Sequence, residues 1–366
     1  MLKKFFRCKT CVTPNTRPRT IINDDGVCSA CLFKKKKKKI NWNKRWKELE
    51  NVCEKFRRND GSYDVLVPGG GGKDSSYVAW VLKNKLNMNP LTVCARPPMS
   101  TELGEKNLSN FSKSGFDVLE LRPNVQIQKK INFNGLIKFG QPQIAWLTTI
   151  LTIPISVAIK YNIRFIMYGE EAESEYGGLT SLEEKANFKL DHIKKAYLSN
   201  IKLNELIDVE KYKKNLDIYK LPPSNKYNDL FPCHWSYFEK WDEPKHLKIA
   251  EKFCGLTRSK KNTQSSYNNF SHLDQKMYLL HMYCAYLKFG FNRATTDSSI
   301  DVREGLMTRQ KALKHIKKLD HLAPKKYYND YAKYFGISKK KLLKYLEKIR
   351  NKEIFIKKNN KWILDE

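Results

Sequence analysis

The segment Tyr63–Leu82, YDVLVPGGGGKDSSYVAWVL, decides how the chain is read. It opens with the apolar run Val65–Val67, which suits a buried strand. Pro68 and four glycines, Gly69–Gly72, follow, and from about Ser75 the apolar residues recur at helical spacing. A strand that passes through glycines into a helix makes an anion cradle. Backbone N–H groups can approach a ligand closely where no Cβ intervenes, and the helix start adds unsatisfied donors and the positive end of its dipole. Lys73 adds a point charge, and Asp74 can orient a metal ion or the loop.

Two familiar phosphate loops fail against this segment. A Walker-type loop needs Ser or Thr directly after Gly-Lys, where this chain has Asp74, and its first glycine would fall on Val67. The dinucleotide pattern would need its last glycine where Asp74 stands. Gly71-Gly72-Lys73-Asp74-Ser75 after a strand instead resembles the pyrophosphate loop of ATP pyrophosphatases, which cleave ATP between the α and β phosphates. Such loops carry Ser before the two glycines, and here that position is Gly70.

Working outward, Leu91–Ala95, Phe116–Leu121 and Ile163–Tyr168 read as further strands. Glu102–Lys113, Gln126–Phe139 and Gln143–Tyr161 read as helices. This alternation predicts an α/β fold with a doubly wound parallel sheet, whose ligands bind outside the carboxyl ends of the strands. Cys94, Ala95 and Arg96 then end the second strand beside an adenosine, and Gly169, Glu170 and Glu171 end the fourth. The continuation Gly169–Gly178, GEEAESEYGG, crowds carboxylates that a cation bridging phosphates would offset; an exposed acidic loop is the alternative.

Towards the N-terminus, Cys8-Lys-Thr-Cys11 and Cys28-Ser-Ala-Cys31 lie sixteen residues apart, the spacing of a four-thiolate structural zinc site. A segment this small gains from a metal the stability that apolar burial cannot supply. The six lysines Lys34–Lys39 read as a solvated linker to a helix over Trp42–Arg57, with Cys53 as packing.

The 366 residues hold 69 Lys and Arg against 38 Asp and Glu, a formal charge of +31. Such an excess allows a nucleic-acid partner without favouring one, because the lysines are spread along the chain and are not gathered with aromatics. Nine cysteines and an N-terminus without an apolar signal core point to a reducing, cytoplasmic setting. Ile144–Ile159 contains Pro154 and is short for a bilayer, so a buried helix is expected and no membrane span.

Residues 180–230 are polar and weakly periodic, an insertion or a cap. Phe231–Trp241, FPCHWSYFEKW, reads as an aromatic core segment. In Lys288–Arg309, Arg293, Asp297 and Asp301 recur every four residues, one helix face, as a pocket wall or a surface ion-pair row. Lysine-rich helices and a terminal hairpin over Glu353–Leu364 close the chain. The expected units are a zinc knuckle with its linker (1–40), an ATP-binding domain (41–180), a substrate-binding helical region (181–310) and a basic helical end (311–366).

Taken in order, CVTPNTRPRTIINDDGVCSAC (11–31), VPGGGGKDSSY (67–77), GEEAESEYGG (169–178) and KFGFNRATTDSSIDVREGLMTR (288–309) resemble the N-acetyl sugar amidotransferases of bacterial surface-polysaccharide and flagellin-glycan pathways. The resemblance spans nearly the whole chain and is weakest over 180–230. It implies an adenine-nucleotide α-hydrolase-like fold and an ATP- and Mg2+-dependent conversion of an acetamido to an acetamidino group on a sugar. Ammonia would come from a glutaminase through a barrel-type partner like that of the histidine pathway.

On that resemblance Gly70, Gly71, Gly72, Lys73, Ser75 and Ser76 hold phosphates, with Ala95 and Gly169 at the nucleotide. Asp74 with Glu170 or Glu173 serves magnesium. Lys73, Asp74, Glu170 and Arg293 are the catalytic candidates. Glu173, Glu175, Tyr176, Asp297, Asp301 and Arg303 face the substrate. Two rivals remain: a tRNA-thiolating pyrophosphate-loop enzyme, for which Cys94 and Cys233 form the one plausible thiol pair, and a non-catalytic zinc-ribbon binding protein.

Overall fold

The computed structural model describes residues 4–169, 185–188 and 200–366. The cysteine-bearing entry leads into α1 (Ser29–Lys37) and α2 (Trp42–Phe56), and then into β1 (Val65–Pro68), α3 (Lys73–Asn84) and β2 (Pro90–Ala95). There follow α4 (Glu102–Lys113), β3 (Asp117–Leu121), α5 (Val125–Phe139), α6 (Ile144–Lys160) and β4 (Phe165–Tyr168). The short α7 (Leu203–Leu206) precedes β5 (Phe231–His234), α8 (Trp235–Phe238) and α9 (Glu243–Phe253). The last third holds α10 (Met277–Phe289), α11 (Arg293–Glu304), α12 (Arg309–Leu319), α13 (Tyr328–Phe335), α14 (Lys339–Ile349) and the hairpin β6 (Phe355–Lys358) with β7 (Lys361–Leu364).

Five strands pair in the order β3-β2-β1-β4-β5, all parallel. β1 is central because both of its faces are apolar. Val65 and Val67 pack with α2 and α3, while Leu66 points the other way into the layer containing Leu151, Ile155 and Ala158 of α6. Burying a side chain such as Leu66 contributes about 1.5–3 kcal/mol, which explains why a parallel sheet covered on both sides carries such an apolar strand. The chain runs β1-β2-β3 to one side and returns to place β4 on the other. The crevice at the carboxyl ends of β1 and β4 is therefore the topological switch point, and the glycine loop opens there.

Two sequence expectations change. The lysine run is not a detached linker: Lys34–Lys37 complete α1, Lys37 is buried, and Lys34 forms an ion pair with Glu304. Lysine is a good helix former and is favoured in a last turn, where it meets the negative end of the dipole. The aromatic stretch Phe231–Trp241 is core as read, with Trp235 and Phe238 fully buried, but it also supplies the unanticipated edge strand β5. Residues 231–254 thus belong to the sheet unit, sharing its core through Cys233, Trp235, Trp241 and Cys254.

The C-terminal helices form a second core around Leu280, Leu287, Tyr331 and Leu342, joined to α5 through Leu136. Among the described residues, no helix is long and apolar enough to cross a membrane.

Candidate active site

The loop between β1 and α3 is shaped by its glycines. Gly69 N–H donates to Val93 O at 3.0 Å, extending the β1–β2 ladder by one residue. A Cβ on Gly69 would sit 2.5 Å from Ser75 Cβ. Gly71 turns the chain at φ +75°, and a Cβ there would lie 2.9 Å from main-chain atoms of Asn107 and Leu108 in α4. Only glycine meets both conditions. Gly72 faces open space and is the N-cap of α3 without a side-chain cap, so the first amides of the helix are left for an anion. The helix starts at Lys73, two residues earlier than its periodicity suggests. Ser75 lines the cavity next to the loop, whereas Ser76 is 1% exposed and turns into the protein.

Lys73 Nζ lies 2.5 Å from Asp74 Oδ2 and 2.8 Å from Glu243 Oε1. Asp74 Oδ1 is 3.0 Å from His246 Nδ1. Burial works against the Lys73 ammonium, but the two carboxylates outweigh it and raise its pKa above the usual value. Burial likewise opposes charge on Asp74, and Lys73 and His246 together overcome it, holding its carboxyl at about 2.

The His246 ring is fully buried, stacked on Tyr77 at 4.1 Å and met edge-on by Trp241 at 4.5 Å. Its Nε2 has no hydrogen-bond partner among the described residues. Glu243 and His246 were not singled out in the sequence. Their signal is slight: three residues apart in α9, they share the inward face with Leu247 and Ala250. Asp242 caps that helix by accepting from Lys245 N–H, which fixes its first turn beside Lys73.

Two adjoining cavities open at the loop. The smaller, about 340 Å³, lies over the ends of β1, β2 and β4 and is mainly apolar, with Val93, Ala95, Leu151 and Pro154 in its wall and Gly70 and Gly169 at its mouth. Trp146 Nε1 donates to Ala95 O at 3.0 Å and helps close it. The larger, about 1180 Å³, takes in Gly69–Ser75 and also reaches Tyr278, His281, Arg293 and Thr296 of the C-terminal region. Gly69, Gly70, Trp146 and Gly169 border both.

Glu170, Glu173, Glu175 and Tyr176 lie outside the described residues. In α11, Arg293 lines the larger cavity, 2.5 Å from Asp297 Oδ1 and 3.2 Å from the Tyr278 hydroxyl. Asp297 is 7% exposed and accepts from Ser266 and Asn268 at 2.6 and 3.0 Å, a buried network that supports Arg293. Asp301 accepts from the Tyr267 hydroxyl. Arg303 donates to Cys11 Sγ at 3.7 Å and so faces the cysteines, whereas the sequence reading turns it to the substrate. A twelve-residue helix has several sides, and Thr295, Ser299 and Arg303 form a second four-residue row that meets the knuckle.

The rival thiols do not form a poised pair. Cys94 lines the smaller cavity, but burial pushes its pKa to about 12. Cys233 is fully buried within the edge strand β5, and burial raises it well above a usual thiol.

The sulfur atoms of Cys8, Cys11, Cys28 and Cys31 lie within 4.8 Å of one another and all four residues are buried. Cys8 and Cys31 are 3.9 Å apart, and Cys11 and Cys28 are 3.6 Å apart. Four thiolates around one zinc at Zn–S distances of ~2.3 Å would stand ~3.8 Å apart, so the set fits a tetrahedral ion. Main-chain N–H groups of Cys28 and Thr13 donate to Cys8 Sγ and Cys11 Sγ at 3.3 and 3.4 Å, and these bonds orient the ligands.

Three similarities to known proteins bear on these observations. A model of the C-terminal domain of LPS biosynthesis proteins described as WbpG-like matches residues 264–365, the segment from before α10 through the terminal hairpin. The uncharacterized protein MJ1599 of Methanocaldococcus jannaschii is 30% identical over 110 residues, 30% of this chain and 39% of the relative; the chain thus spans about two fifths of that relative's length. The U34-tRNA thiolase NcsA from Methanococcus maripaludis, solved with its [4Fe-4S] cluster, aligns over 88% of this chain and 98% of its own at 14% identity, with a TM-score of 0.31. That last likeness is too loose to bear on the site.

Proposed function

We propose that the chain is an ATP-dependent amidotransferase that converts an acetamido group on a sugar to an acetamidino group. The observation that carries this reading is the glycine loop at the junction of two cavities. One is apolar and at the strand ends where a nucleoside binds in such sheets, and the other is larger, carries charged side chains such as Lys73 and Arg293, and is open to an acceptor. The match of residues 264–365 to an LPS-biosynthesis domain supports a sugar as that acceptor. Cys94 lines the smaller cavity, but burial keeps its thiol protonated, and the proposed reaction needs no nucleophile from the protein.

The amide oxygen attacks the α-phosphorus of ATP and pyrophosphate leaves, giving an O-adenylyl imidate. Ammonia then adds to the imidate carbon, AMP departs with the former amide oxygen, and the extra proton of ammonia passes to solvent or to the leaving phosphate. The first amides of α3 and Lys73 hold the phosphates that become the leaving group, which favours the charge developing there. Asp74, kept ionised and oriented by Lys73 and His246, would hold magnesium with a carboxylate of the acidic segment. Arg293 would orient the acceptor from the far wall. Cys8, Cys11, Cys28 and Cys31 would hold zinc as a structural centre. Ammonia from a glutaminase, delivered by a barrel-type subunit, is part of the same proposal, as is a cytoplasmic setting.

The test is incubation with ATP, magnesium, ammonium and a panel of nucleotide-linked and free acetamido sugars. Sugar-dependent AMP release, with oxygen replaced by NH in the product by mass spectrometry, is expected. Lys73→Ala should abolish it without changing the zinc content. AMP release that depends on tRNA and not on any sugar would overturn the proposal.

A further inference from the structure

We propose that the cysteine knuckle is part of the acceptor site and that Arg17, which it carries, is a specificity residue for an anionic group on the acceptor. This deepens the function proposed above and rests on it.

The knuckle does not hang from the sheet as a separate module. Arg7 Nη1 donates to Thr295 Oγ1 at 3.1 Å, and the Thr13 hydroxyl donates to Ser299 Oγ at 3.2 Å. Arg303 donates to Cys11 Sγ at 3.7 Å, and Arg309 Nε donates to Cys11 O at 2.9 Å. The α11 row that meets the knuckle lies about a quarter turn around the helix from the side bearing Arg293, Thr296 and Ile300, which line the larger cavity. One helix is therefore shared between the thiol centre and the cavity wall.

Beyond Cys11 the chain turns along that wall. The Thr16 hydroxyl donates to Phe289 O at 2.5 Å, and the Arg17 guanidinium carbon lies 5.0 Å from the centroid of the Phe291 ring. Arg17 thus lines the same cavity as Lys73 and Arg293, on a segment anchored at Cys11. A guanidinium lining the cavity beside an aromatic ring is the group best suited to a carboxylate or a phosphate, which it can meet with two parallel bonds. Both anions occur on sugars, as the acid of a sugar acid or the diphosphate of a nucleotide-linked sugar, and the shared chemistry is an oxyanion beyond the reacting amide. Four thiolates around zinc would carry excess negative charge, and Arg303, which donates to Cys11 Sγ from α11, would offset it and tie the cavity wall to the cysteines.

The zinc-loaded full chain, saturated with a non-hydrolysable ATP analogue, is titrated calorimetrically with three probes. These are UDP-N-acetylglucosamine for the diphosphate, N-acetylneuraminic acid for the carboxylate and N-acetylglucosamine as the neutral sugar. One anionic probe should bind about 10- to 100-fold tighter than the neutral one, and which one identifies the source of the anion. Arg17→Ala should remove that preference while leaving the affinity for the ATP analogue unchanged, and Arg17→Lys should keep part of it. Arg303→Ala leaves the thiols intact; it should speed amide exchange over 292–304 and reduce the same preference. Wild-type protein with no preference for either anion overturns the proposal, as does Arg17→Ala with the preference intact. Failure of the amidotransferase reading looks different: anionic probes bind in an Arg17-dependent way, yet no acetamido sugar releases AMP.

Discussion

Gly71→Ala tests the construction of the loop directly. At φ +75° a Cβ costs about 1–2 kcal/mol from backbone sterics alone. Its approach to 2.9 Å of α4 main-chain atoms adds overpacking worth about 1–3 kcal/mol, because a helix backbone cannot swing aside as a side chain can. The expected loss is therefore about 2–5 kcal/mol. With an unfolding entropy of ~0.8 kcal/mol/K for a chain of this length, the melting temperature should fall by about 3–6 °C. The strain has a second outlet, displacement of the loop from α4, which would carry the first amides of α3 away from the phosphates. Calorimetric melting and titration with an ATP analogue measure the two. Gly72→Ala is the control, since nothing lies within 4 Å of its added Cβ and its φ is −80°; it should melt within about 1 °C of the wild type. A Gly71→Ala protein with wild-type melting and wild-type nucleotide affinity would refute the reasoning.

His246→Ala removes a fully buried ring and the hydrogen bond to an ionised Asp74, for an expected loss of about 2–4 kcal/mol in urea titrations and a raised magnesium requirement for AMP release. An unaltered magnesium requirement would show that Asp74 needs no such support. Burial raises the Asp320 carboxyl to about 6, against an unfolded value of ~3.9, so its contribution is fully present below about pH 4 and is lost as pH rises through 6. Asp320→Asn should flatten that decline, on the order of 3 kcal/mol between urea midpoints at pH 4 and 7, and an equal decline in both proteins would discount Asp320 as its source. Cys28→Ser should lower bound zinc from one equivalent by plasma mass spectrometry and expose residues 5–31 to protease, while retained zinc would remove Cys28 from the ligand set.

The features legible in the sequence are those set by local rules. Four glycines after an apolar strand and before a periodic helix leave little else to form, and the strand–helix alternation led to a parallel sheet, though not to its strand order. The paired cysteines carried their own geometry in their spacing. What stayed hidden depends on distant packing. Glu243 and His246 meet Lys73 and Asp74 only because α9 lies across α3, and nothing near residue 243 announces that contact. β5 was obscured by Pro232, which lacks the ladder donor and is tolerated at this edge position. In α11 the sequence showed one row of four-residue spacing and the fold uses two, so Arg293 reaches the cavity while Arg303 turns to Cys11.

Positions 70 and 94 are neighbours across the loop. A Cβ on Gly70 would come within 3.3 Å of Cys94 Sγ, so the thiol fills much of the space that a side chain at 70 would take. The two sites trade volume. Gly70→Ser should be better tolerated with Cys94→Ala than alone. What residue 70 can carry is thus set by the side chain at 94 across the loop, a second-strand residue far from it in sequence.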